Sequence, residues 1–130
     1  MNAIVTRALE YVGTPYIWDY SCAPGVGVDC AGLVMQALYA AGMDLSPMNP
    51  WDHYYSAGHD QYANYMRNYG RFQRVSFADR QPGDLILTNG HVSLYIGGDR
   101  IVEAYSPRVG TRVASVYSTT PILSVARPVV

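Results

Sequence analysis

The sequence predicts an α+β domain, with N-terminal helices packed on an antiparallel β-sheet. Two observations carry this expectation. Apolar residues recur at helical steps as far as Gly70, and beyond it they alternate or gather in short runs. Turn signals such as Gln81-Pro82-Gly83 and Gly97-Gly98-Asp99 separate those runs, as hairpins require.

Residues 2–12 read as the first helix, with Ile4, Val5, Ala8, Leu9 and Val12 on one stripe and Gly13 as its C-cap. Pro15 and the aromatics around it make 13–18 extended. Residues 19–28, holding Pro24, Gly25 and Gly27, read as a loop that delivers Cys30. The second helix spans 30–41, buries Leu33, Val34, Ala37, Leu38 and Ala41, and stops at Gly42. Residues 43–50 read as a linker. Over 51–69, Tyr54, Tyr55, Tyr62, Tyr65 and Tyr69 recur mostly at steps of three, four or seven, which fits one or two helices with an aromatic face. Such a face serves core packing first, and a cleft wall is the alternative. His53 and His59 in this stretch read as surface residues. Strands follow at 72–75, 84–87, 91–96, 100–105, 112–117 and 122–127.

At 130 residues, with 49% hydrophobic and 15% charged positions, the chain suits one compact core, so residues 1–130 are expected to form a single domain. The net charge of -1 and the lack of a clustered basic face argue against a nucleic-acid partner. No stretch approaches the roughly 20 apolar residues that cross a bilayer. Residues 1–12 lack a charged leader and a small-residue cleavage site. The expectation is a chain that neither exports nor anchors itself: cytosolic, carried out by another route, or a fragment of a larger protein. Cys22 and Cys30 with three scattered histidines match no zinc spacing, and neither a metal nor another cofactor is expected.

The chemistry centres on Cys30. A thiol where a glycine-rich loop enters a helix faces unpaired N–H groups and the positive end of the macrodipole, and both favour the thiolate. A Cys22–Cys30 disulfide is the competing reading, but it would consume the only thiol at a helix start. A base is offered by His91, which follows Asn89-Gly90 and opens a strand. A histidine there is structural or catalytic, and the catalytic reading needs a third group to hold the ring. Glu103 is the candidate. A turn centred near Gly97 sets it opposite or diagonal to His91, whereas a tight turn at Gly98-Asp99 pairs it with Leu94 and leaves a diagonal reach; a solvated strand carboxylate is its bland reading.

Four ordered pieces now carry a resemblance: Gly13-Thr14-Pro15-Tyr16 with Trp18, Asp29-Cys30-x-Gly32-Leu33-Val34, Pro82-Gly83-Asp84-Leu85, and His91-Val92-x-Leu94-Tyr95-Ile96-Gly97. Together they resemble the NlpC/p60 superfamily of cell-wall cysteine peptidases. The resemblance implies a circularly permuted papain-like fold. It also implies Cys30 as nucleophile, His91 as base and Glu103 where the family most often has a histidine. Tyr16, Trp18 and Asp29 then fall at positions that line the site, hold the peptide amine or brace the loop. The implied substrate is a peptidoglycan stem peptide, cut between a γ-D-glutamyl residue and a diamino acid. Action is then expected at the cell wall, by secretion or delivery through another domain or partner, or in the cytoplasm if muropeptides are recycled.

Three departures stand out: Ala31 replaces the usual serine after the nucleophile, Glu103 replaces the usual third residue, and both the loop before Cys30 and the 51–69 stretch are longer than a minimal domain needs. Two other functions stay open. One is an acyltransferase or amide-modifying toxin on the same scaffold, and the other is a catalytically silent binding module.

Overall fold

The computed structural model describes residues 2–52 and 59–129. Among these residues the chain forms α1 (Ala3–Glu10), α2 (Cys30–Ala40) and α3 (His59–Met66). The strands follow: β1 (Phe72–Val75), β2 (Leu85–Thr88), β3 (His91–Gly97), β4 (Arg100–Ser106), β5 (Gly110–Ser115) and β6 (Ser124–Pro128). All strand pairs are antiparallel and the order across the sheet is β1-β6-β2-β3-β4-β5. The predicted class is therefore the observed one. The expectations for His53, Tyr54 and Tyr55 lie outside the described residues, as does the side chain of His59.

The first helix starts because Asn2 Oδ1 accepts from the N–H groups of Ile4 and Val5. It ends two residues before the sequence pattern does. Leu9 and Val12, expected on the buried stripe, are exposed, and Tyr11 is buried in their place. Tyr11 can be buried because its hydroxyl donates to the Cys22 carbonyl at 2.7 Å, so that hydroxyl is not stranded in the core.

Residues 43–50 are a packed segment rather than a plain linker: Met43, Leu45 and Met48 are buried. Tyr69 donates to the Ser46 carbonyl, and Arg71 pairs with Asp44 at 2.8 Å. Hydrogen bonding from Arg71, then from Ser46, holds the Asp44 carboxyl well below the usual carboxylate range. A depressed carboxylate contributes stability that is complete above its unfolded value of about 3.9 and is lost as the pH falls through the folded value. Asp44→Asn should therefore lower the melting temperature slightly at pH 7. The difference from wild type should close on acidification below the ordinary carboxylate range, which thermal denaturation across a pH series would check.

The sheet carries a core on each face. Leu85, Leu87, Val92, Leu94 and Val102 pack toward the helices with Leu33, Val34 and Leu38 of α2. The alternate residues Ile86, Tyr95 and Ile101 meet Val116 and Val125 in a smaller cluster. Tyr69 joins the larger core, Tyr62 packs against it and Tyr65 is exposed, so of the three described tyrosines in the 51–69 stretch two serve packing.

The Pro82-Gly83-Asp84 turn ties the layers together. Asp84 is buried, receives two hydrogen bonds from Arg127 of β6 at 2.9 and 3.0 Å, and accepts from the Gln81 N–H. Asn2, the cap of α1, donates to the Pro82 carbonyl.

Candidate active site

Local chemistry explains where α2 begins. Asp29 is extended (φ -99, ψ -172), and its Oδ1 accepts from the Gly32 N–H at 2.8 Å, a standard N-cap contact. Its Oδ2 accepts from the Asp19 N–H at 3.0 Å, and its own N–H donates to the Tyr20 carbonyl. One buried carboxylate thus fixes both the helix start and the loop beside it, which makes Asp29 a brace of that loop. Tyr16 and Ser21 both pair with Val28, so residues 16–21 are strapped to the strand-like stretch that enters Cys30. Tyr16 is half-buried against the main core and Trp18 is 48% exposed.

Cys30 is the first residue of α2 and is fully buried. No disulfide joins it to Cys22. Burial pushes the Cys22 thiol up, away from the reactive thiolate, and Cys22 lies outside the helices. At its other end α2 stops at Ala41, where Gly42 takes a φ of +88, a conformation that suits glycine.

The base candidate and its partner come together. His91 Nε2 lies 2.9 Å from Glu103 Oε1. A carboxylate can only accept, so Nε2 is the donating nitrogen and Nδ1 is left for proton exchange. The register that achieves this combines both readings of the turn. Gly97 pairs with Arg100, the tight turn, but a bulge between Tyr95 and Gly97 shifts the ladder so that Leu94 pairs with Val102. Continued, that register sets Glu103 across from Ser93, on the same face as His91. Without the bulge Glu103 would fall opposite Leu94 and point the other way.

Glu103 is fully buried, not a solvated strand residue. Its second oxygen, Oε2, accepts from Arg112 Nε at 3.0 Å, and the two residues are direct cross-strand partners in β4 and β5. The sequence reading missed Arg112. The available signal was a cross-strand pair of opposite charges, together with the rule that a buried carboxylate demands partners. Helix α2 packs across β3 and β4, the strands that carry His91 and Glu103. Among the described residues no cluster of three or more His, Cys, Asp or Glu is placed to hold a metal, and no helix is long and apolar enough to cross a membrane.

A helix that opens on a cysteine, laid on an antiparallel sheet whose strands present a paired histidine, defines a papain-like α+β domain. The chain belongs to the NlpC/P60 family, whose model matches residues 13–127. Over 129 residues it is 35% identical to "Probable endopeptidase Rv2190c" of Mycobacterium tuberculosis, covering 97% of this chain and 29% of that protein. The chain therefore spans under a third of that relative's length.

Among solved structures it is similar to the NlpC/p60 domain of the peptidoglycan hydrolase SagA, at a TM-score of 0.67 and 27% identity. That match covers 98% of this chain and 97% of the other. It also shares its fold with RipD of Mycobacterium tuberculosis, described as a non-catalytic NlpC/p60 domain protein adapted to peptidoglycan binding. There the TM-score is 0.66 at 22% identity, over 98% of this chain and 95% of that one.

Proposed function

We propose that this domain is a cysteine endopeptidase that hydrolyses peptidoglycan stem peptides, with Cys30 as nucleophile, His91 as base and Glu103 as the group that orients His91. The observation that carries it is the 2.9 Å contact between His91 Nε2 and the buried Glu103, on strands against which the Cys30 helix packs. A family fold alone does not imply turnover, since RipD has the same fold and is described as non-catalytic.

In this mechanism Sγ of Cys30 passes its proton to His91 Nδ1 and, favoured as thiolate by the helix N-terminus, attacks the scissile carbonyl. The C–N bond breaks, His91 Nδ1 gives its proton to the departing amine, and a thioester remains on Cys30. His91 then takes a proton from water, the hydroxide attacks the thioester carbonyl, and the thiolate is released. The Cys30 N–H is one oxyanion donor, and Tyr16 is the candidate for a second. Tyr16, Trp18 and Asp29 form the substrate side of the site, with Asp29 acting through the loop it braces. The bond proposed is the one between a γ-D-glutamyl residue and a diamino acid, and the place of action is the cell wall, with delivery by a domain or partner outside this chain.

Digestion of purified muropeptides, with products read by mass spectrometry and a Cys30 variant as control, tests the reading. Released stem-peptide fragments support it, and an acyltransferase on this scaffold would release none. Glu103→Gln should lower kcat by about 10–100-fold with KM nearly unchanged, because the amide keeps part of the ring's orientation but not the charge. Full turnover in that variant would remove Glu103 from the mechanism. One observation favours a second reading: Cys30 is fully buried, the ordinary state of a structural free cysteine. A domain that retains muropeptides on a column yet yields no fragments would be a binding module.

A further inference from the structure

We infer that Arg112 is a positioning residue for the His91–Glu103 pair, holding the carboxylate so that Oε1 stays aimed at the imidazole. The inference deepens the proposed mechanism and rests on it.

A glutamate has three side-chain torsions, and the last of them, which turns the carboxylate plane, is broad. A single hydrogen bond from His91 leaves that plane free to rotate. Arg112 supplies the second point: Nε donates to Oε2 while Nε2 of His91 meets Oε1, and the two contacts fix the plane.

Arg112 is itself held on two sides. Its backbone is in register with Glu103 across the β4–β5 ladder, and its guanidinium lies 4.2 Å from the centre of the Tyr105 ring. The Tyr105 ring in turn stands edge-on to His91, 6.4 Å between centroids at 86°. The cation, the ring, the carboxylate and the imidazole therefore form one closed set of contacts. The guanidinium is partly exposed and keeps some hydration, whereas Glu103 is fully covered. So the pair's geometric demand falls on the carboxylate, and Arg112 meets it.

A plain structural ion pair would also bury Glu103 beside Arg112, and the test separates the two roles. Arg112→Met, Arg112→Gln and Arg112→Lys are compared in wild-type and Glu103→Gln backgrounds. Three readings are taken: muropeptide kinetics, melting temperature, and the His91 tautomer from long-range 1H–15N correlation spectra.

Positioning predicts that Arg112→Met or Arg112→Gln lowers kcat about 10-fold at near-constant KM. Arg112→Lys should restore part of it. In the Glu103→Gln background the same change should cost less than about twofold, because the two residues act as one unit. In a Cys30→Ala background, at a pH where the imidazole is neutral, the ring should be a single tautomer protonated at Nε2, and adding Arg112→Met or Arg112→Gln should give a mixture. That reading needs no substrate, so it holds whichever function the domain has. A melting temperature that falls while kcat and tautomer stay unchanged overturns the inference, as does an Arg112 effect of equal size in both backgrounds. A Glu103→Gln variant with full activity overturns the catalytic reading as well.

Discussion

Cys30→Ala is expected to bring the release of stem-peptide fragments down to the uncatalysed background, a loss of at least about 10⁴-fold, while the fold survives. In the proposed mechanism the loss is large because Sγ forms the covalent bond itself. His91 and Glu103 have nothing to activate once it is gone, so no partial mechanism remains. The fold should survive because only one heavy atom is removed. The cap from Asp29 stays in place, and Leu33, Val34 and Leu38 still anchor the helix in the core. A void of that size costs on the order of 1 kcal/mol. Mass-spectrometric product analysis and thermal denaturation of the same sample read both quantities. Residual turnover above about 1% of wild type would place the chemistry on another group.

Gly32→Ala should be the most damaging small substitution, and its effect should run against helix propensity. In an ordinary helix interior the change gains close to 1 kcal/mol. Here a Cβ at Gly32 would lie 2.1 Å from the Tyr20 carbonyl oxygen and 3.1 Å from Ser21 Cα. Both atoms belong to backbone, and that carbonyl is already bonded by the Asp29 N–H. Something has to shift, and the candidates are the strapped loop and the start of α2. We expect a net loss of about 1–3 kcal/mol, seen as a melting temperature lower by roughly 5–10 °C. Activity should fall too, because Cys30 sits on the turn that moves. A variant as stable as wild type would mean that α2 and residues 20–21 do not approach as closely as described.

Close approach of this kind marks where sequence reading stops. The Asp29 cap, the thiol at the helix start and the stop at Gly42 were legible, because each depends on residues within a turn of one another. The strands were legible for the same reason, through alternation between turn residues. Tyr11 was not. The periodic stripe pointed to Leu9 and Val12, and only a carbonyl eleven residues away, on Cys22, makes burial of the tyrosine favourable. Met43, Leu45 and Met48 looked like a linker because their partners lie on other elements and no period links them.

The candidate site divides along the same line. Cys30, His91 and Glu103 could be named from residue type, local setting and motif order. The register by which Glu103 meets His91 could not be read, since two turn geometries gave different pairings and the answer lay in a bulge between Tyr95 and Gly97. The place of β6 between β1 and β2 was equally silent, because Arg127 and Asp84, which fasten it, stand 43 residues apart. From the chain alone came the class of fold, the ends of α2 and the candidate reactive groups, all tied to interactions between near neighbours. The tertiary structure decided register, strand order and the Arg112–Glu103–His91 set. These depend on which distant segments bury one another, and local periodicity carries no record of that choice.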